Sequence, residues 1–177
     1  MKWLSHLFGG QEMAALNVGD PAPDFALNTL DGKKFSLQEA LERGPVVAAF
    51  FKVSCPTCQY TFPFLERLHK AYGNRNLTLI GISQNDRNDT ATFVKEYGVT
   101  FPIVLDDIRT YPVSNAYGLT NVPTIFWIAR DGEIEILSVG WVKSDFAQIN
   151  RKMAESAEAA QALVFRPGED VRDFRAA

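Results

Sequence analysis

The 177-residue sequence has only two cysteines and two histidines, no block of basic residues, and no apolar run of membrane-spanning length. Each scarcity excludes something. Two cysteines cannot build a multiply cross-linked scaffold, and in a reducing compartment a single pair is not kept as a staple, because thiols there stay reduced. A zinc site would need two further ligands, but His6 lies near the start. His69 lies roughly 16 Å from Cys58 along a helix rising 1.5 Å per residue. Neither a metal nor a bound cofactor is therefore expected. The balance of 18 Lys and Arg against 21 Asp and Glu, net charge −3, offers no surface for nucleic acid or an anionic membrane. No segment approaches the ~20 apolar residues of a transmembrane helix. The opening MKWLSHLFGG has one Lys and an apolar stretch broken by Ser5 and His6. It is shorter than the apolar region of a secretory signal and lacks a small-residue cleavage site. A soluble, monomeric, cytoplasmic protein is expected.

What is present suffices for one core, with 46% hydrophobic and 22% charged residues. Residues 1–17 read as a lead, 18–163 as one domain and 164–177 as an aperiodic tail of mixed charge. Within the domain, FALN and KKFSL flank Asp31-Gly32, the signature of a short hairpin. A helix over LQEALE leads to VVAAFF, a continuous apolar run suited to a strand covered on both faces. Cys58, Phe62, Leu65, Leu68 and Tyr72 recur at helical spacing, with Pro63 expected to kink that helix. LTLIGIS is a second buried strand, NDTATFVKEYG a helix capped by Asn88 or Asp89 and closed by Gly98, FPIVL a short strand and YPVSNAYG a short helix. TIFWI and EIEILSVG flank the turn Asp131-Gly132, and a last helix capped by Ser144 or Asp145 runs to about Leu163. This order predicts an α/β fold: a mixed central sheet, parallel in its crossover units and antiparallel at the hairpin, with helices on both faces and an N-terminal β-hairpin extension.

The two cysteines form Cys55-Pro56-Thr57-Cys58 at the junction of a strand and a helix. A cysteine capping a helix has its thiolate stabilised by unpaired N–H groups and the positive end of the helix dipole. Pro56 fits the first helical position, where its missing N–H costs nothing. Cys58 falls one turn later, facing inward. That geometry makes Cys55 the exposed nucleophile and Cys58 the shielded thiol that resolves a mixed disulfide. Lys52, three residues earlier, either helps hold the thiolate or is a solvated strand-end lysine. Pro123, just before TIFWI, marks the start of a strand, since proline cannot donate within a ladder; a cis bond there would set a tight turn. Asp106-Asp107 reads as a solvated loop, and Trp127 and Trp141 as packing residues.

With both motifs present, the sequence resembles the thioredoxin-like superfamily, and within it the redoxin branch of TlpA/ResA-type thiol-disulfide oxidoreductases. The resemblance runs from about Val18 to Leu163. It rests on VGDPAPDFAL, the dithiol motif with Pro56 and Thr57 between its cysteines, Phe62-Pro63, YGVTFPIVLD, and Val122-Pro123-Thr124 before a strand. It implies that Cys55 and Cys58 are nucleophile and resolver, that Pro123 is a cis-proline beside them, and that the backbone of Val122 pairs with an extended substrate segment. The implied partners are protein disulfides and a recycling reductant. Ala49 and Thr61 stand where many relatives carry an acid, so the usual proton acceptor for Cys58 is missing. The main rival is peroxidase chemistry, because peroxiredoxins share the fold and the VGDPAPDF opening. Their motif sets Pro seven and Thr or Ser three residues before the peroxidatic cysteine. Those positions are Ala48 and Lys52 for Cys55, and Phe51 and Cys55 for Cys58. A redox-inert peptide-binding module is a third reading.

Overall fold

A computed structural model describes residues 15–177; almost all of the expected lead lies outside them. The expected hairpin forms from β1 (Ala26–Asn28) and β2 (Lys34–Ser36), followed by α1 (Leu37–Arg43). The redox motif lies between β3 (Val46–Phe51) and α2 (Pro56–Tyr72), and β4 (Thr78–Ser83), α3 (Arg87–Tyr97) and β5 (Ile103–Leu105) complete two parallel crossovers. After the short α4 (Pro112–Ala116), β6 (Thr124–Ile128) and β7 (Ile134–Val139) form the antiparallel hairpin. β8 (Trp141–Val142), α5 (Lys143–Ser156) and β9 (Phe174–Arg175) close the chain. The central sheet has the order β5-β4-β3-β6-β7. The expected mixed α/β architecture is thus the observed one.

Alternation along β3 divides the core between the two faces, as the pleat of a strand requires. Val47, Ala49 and Phe51 pack with residues of α2, α3 and α5, among them Phe62, Leu65, Phe93 and Ile149. Val46, Ala48 and Phe50 pack instead with Leu37 and Ala40 of α1 and with Val113 and Tyr117. Trp127 and Trp141 are buried packing residues, as expected. The first hairpin is tied to the β5 edge, where Leu30 N–H donates to the Ile103 carbonyl at 2.8 Å.

Three local expectations are corrected. Helix α3 is capped by Asp86, not Asn88 or Asp89: the Asp86 carboxylate accepts the Asp89 N–H at 2.8 Å, which starts the helix earlier. Helix α5 has no Ser144 or Asp145 cap and ends at Ser156, well short of Leu163. Val142 is still paired in β8, so strand passes directly into helix, and the Lys143 N–H is satisfied by the Asp173 carbonyl instead of a side chain. Asp106 is not solvated. It is 3% exposed and accepts the N–H groups of Val113 and Ser114 and the Ser114 hydroxyl, anchoring α4. Its neighbour Asp107 pairs with Arg109 on the surface. Helix α2 runs unbroken through Pro63.

The aperiodic segment 164–177 is packed rather than loose. Val164 is buried, Arg67 donates to the Val164 carbonyl and to both oxygens of Glu169, and Phe174–Arg175 pairs antiparallel with β8.

Candidate active site

Cys55 caps α2 and Pro56 occupies its first turn, as the sequence predicts. The strand before it ends at Phe51, and residues 52–54 turn the chain into the helix. That turn is fixed from two sides: Asn85, just after β4, accepts the Val53 N–H at 2.9 Å, and the Gln59 amide donates to the Val53 carbonyl at 2.9 Å. Cys55 N–H donates to the Lys52 carbonyl at 3.3 Å. Asn85 and Gln59 are positioning residues that sequence reasoning missed, because a polar residue after a strand end or in the first turn of a helix carries no period that points to its backbone partner.

The thiols are unbridged and unequally placed. Cys55 is partly exposed and Cys58 is fully buried. The Cys58 backbone N–H donates to Cys55 Sγ at 3.1 Å, and Cys55 Sγ donates to the Val122 carbonyl at 3.4 Å. Burial pushes the Cys58 thiol well above its ordinary range, and its hydrogen bond with Cys55 adds to the shift. A buried thiolate beside a second sulfur has no water to solvate it, so Cys58 stays protonated at neutral pH. Ala49 is buried in β3, and the buried Thr61 hydroxyl donates to the Thr57 carbonyl at 2.7 Å, so neither position offers a base. The buried acid of α2, Glu66, is engaged by the N–H and hydroxyl of Thr100.

Val122-Pro123 is a cis peptide bond, and through the Val122 carbonyl its loop touches the exposed sulfur. The fold thus brings Cys55, Cys58, Val122 and Pro123 together. Lys52 is different: it supplies its carbonyl to Cys55, while its exposed side chain borders a cleft of about 130 Å³ shared with Gln84, Asn121 and Val122. Thr57 is 6% exposed despite lying between the two cysteines, because its hydroxyl donates to the Ala176 carbonyl at 2.6 Å. The sequence gives no signal for that contact, which spans 119 residues.

Comparison with known proteins agrees with this geometry. Residues 18–136 match the AhpC/TSA family. The thiol-disulfide oxidoreductase ResA of Geobacillus thermodenitrificans is 31% identical over 139 residues, covering 77% of this chain and 78% of that protein. ResA of Bacillus subtilis is 30% identical over 129 residues, covering 72% and 69%. Among solved structures, a thiol:disulfide interchange protein of the thioredoxin family from Chlorobium tepidum superposes with a TM-score of 0.65 at 28% identity. That match covers 78% of this chain and 99% of the other. A strand-to-helix dithiol beside a cis-proline, in a chain this similar to ResA, leaves one assignment: the protein belongs to the AhpC/TSA family, as one of its thiol-disulfide oxidoreductases.

Proposed function

We propose that the protein reduces disulfides in other proteins, with Cys55 as nucleophile and Cys58 as resolving thiol. The observation that carries this reading is the asymmetry of the pair: one sulfur is accessible at a helix N-terminus and the other is sealed in the core. Cys55 thiolate attacks one sulfur of the substrate disulfide, forming a mixed disulfide and releasing the first substrate thiolate. Cys58 then loses its proton and attacks Cys55 Sγ. The Cys55–Cys58 disulfide forms, the second substrate thiolate leaves, and two electrons have passed to the substrate. A dithiol reductant restores the pair by the reverse exchange. Val122 and Pro123 border the approach to Cys55 and form the wall against which an extended substrate segment lies. Pro56 and Thr57 set the spacing of the sulfurs. The monomeric, cytoplasmic setting expected from the sequence is part of this proposal.

Peroxide chemistry lacks its side chains here. The positions three and seven residues before Cys55 hold Lys52 and Ala48, neither a hydroxyl nor a proline. Assayed with the same recycling dithiol, insulin reduction should outrun hydrogen peroxide consumption, and both should vanish in Cys55→Ser. Cys55-dependent peroxide turnover far above insulin reduction would overturn the proposal. The reduction potential of the couple decides direction: a value near about −270 mV marks a reductant and one near about −120 mV an oxidant.

A further inference from the structure

The last residues of the chain touch three elements that surround the dithiol. Phe174 and Arg175 pair antiparallel with Val142 and Trp141 of β8. The Ala176 carbonyl accepts the hydroxyl of Thr57, inside the redox motif, at 2.6 Å. Gly140, whose N–H donates to the Pro123 carbonyl at 2.8 Å, lies directly under this strand. A Cβ on Gly140 would sit 2.5 Å from the Arg175 carbonyl oxygen and 2.9 Å from Ala177 N, so only glycine admits so close an approach. The Arg175 guanidinium lies 4.8 Å from the ring centre of Tyr60, in the second turn of α2.

We propose that residues 174–177 are a built-in occupant of the surface that an extended segment of a disulfide-bearing protein uses, so that protein substrates displace this strand and small disulfides do not need to. The inference rests on the disulfide-reductase reading. Its grounds are the way the strand is held. Upstream, the chain is anchored by buried Val164 and by the two-pronged Arg67–Glu169 pair. The end itself is held by two residues of backbone pairing, the Thr57 hydroxyl and the Arg175–Tyr60 contact, while the Phe174 side chain is 62% exposed. Few buried apolar contacts make a segment of low local stability, and the upstream anchor keeps it at high effective concentration over its site. Every contact its backbone makes is one that an extended peptide also makes: strand pairing with β8, and a carbonyl offered to Thr57. Gly140 beneath, with no side chain of its own, lets a backbone approach closely.

The test removes residues 174–177 and compares kcat/KM for insulin and for glutathione disulfide under one recycling dithiol. Insulin reduction should rise about fivefold or more, since apparent affinity is lowered by the fraction of molecules with the strand closed. Glutathione disulfide reduction should stay within about twofold by the same relation. Adding a peptide of the sequence VRDFRAA should lower the trimmed protein's insulin rate. If circular dichroism shows that the shortened chain does not fold, Arg175→Glu in the full chain carries the test, with the insulin-to-glutathione ratio rising in the same sense. An unchanged or lower ratio in the folded variant overturns the proposal. Should the full chain reduce neither disulfide, the reductase reading fails separately. The strand is then tested by labelling Cys55 with a polyethylene-glycol maleimide and with iodoacetamide. Trimming should accelerate the bulky reagent more than the small one, and equal acceleration overturns the proposal.

Discussion

At the scale of single residues, the two cysteines differ through one variable, access to water. Cys58 is enclosed by the α2, α3 and α5 side of the core, and burial disfavours its anion. Cys55, three residues earlier, is the N-cap and remains partly exposed. Iodoacetamide should therefore modify Cys55 first in the reduced protein, read by peptide mass mapping after brief exposure at neutral pH. Primary labelling of Cys58 would reverse the assigned roles. Replacing the resolver, as in Cys58→Ser, should make mixed disulfides with insulin accumulate, because no second sulfur remains to displace the substrate. Cys58 must lose its proton before it attacks, and Ala49 and Thr61 offer no carboxylate to take it, so the resolving step should accelerate with pH.

Among the elements, α2 carries the greatest number of duties. Its first turn holds the dithiol, its buried face fills the core, and its last turn anchors the returning chain. That anchor is Tyr72, 1% exposed, whose hydroxyl donates to Asn150 Oδ1 of α5 and accepts the Ala162 N–H at 2.7 Å. Asn150 in turn donates to the Ala162 carbonyl at 3.0 Å. Tyr72→Phe keeps the ring and leaves a buried acceptor and a backbone donor unpaired. It should cost about 2–3 kcal/mol of unfolding free energy in urea, with insulin reduction under native conditions retained. A loss below about 0.5 kcal/mol would mean that water replaces the hydroxyl there. This network also accounts for the early end of α5: Glu158 takes a positive φ of 53° and the chain turns back toward α2 instead of continuing as helix to Leu163.

Across the whole molecule, the protonation of the buried thiol is coupled to the stability of the fold. Below its ordinary pKa near 9, the Cys58 thiol is protonated in folded and unfolded chains alike and adds no pH dependence. As pH rises past that value, the unfolded chain releases the proton and the folded one retains it. The stability present at lower pH is then lost, by up to about 1.4 kcal/mol per pH unit. Between about pH 8 and about pH 10 the reduced protein should lose about 1.4 kcal/mol more than Cys58→Ala does, measured by urea denaturation. Equal losses would mean that Cys58 ionises freely in the folded protein. Comparison with Cys58→Ala removes the contribution of groups that do not touch Cys58, among them Tyr117, whose hydroxyl is pushed up by burial.

Local chemistry made much of this protein legible from its sequence. The β3 run VVAAFF, the Asp31-Gly32 and Asp131-Gly132 turns, the helical spacing of α2 and the Cys55-Pro56 cap are written in neighbouring residues, because strand burial, turn type and capping are decided within a few positions. Pro123 at the head of β6 belongs with them. What tertiary structure alone decided are contacts whose partners lie far apart in sequence: Cys55 with Val122, Asn85 with Val53, Tyr72 with Ala162, Thr57 with Ala176. The absent cap of α5 and the burial of Asp106 have the same origin, since in each the backbone group that needs a partner finds it on another segment. Residues 164–177 show this most sharply. They have no period because they pack as a single pass against α2 and β8 rather than forming an element with an apolar face of its own, and only the folded surface they cross gives them a place.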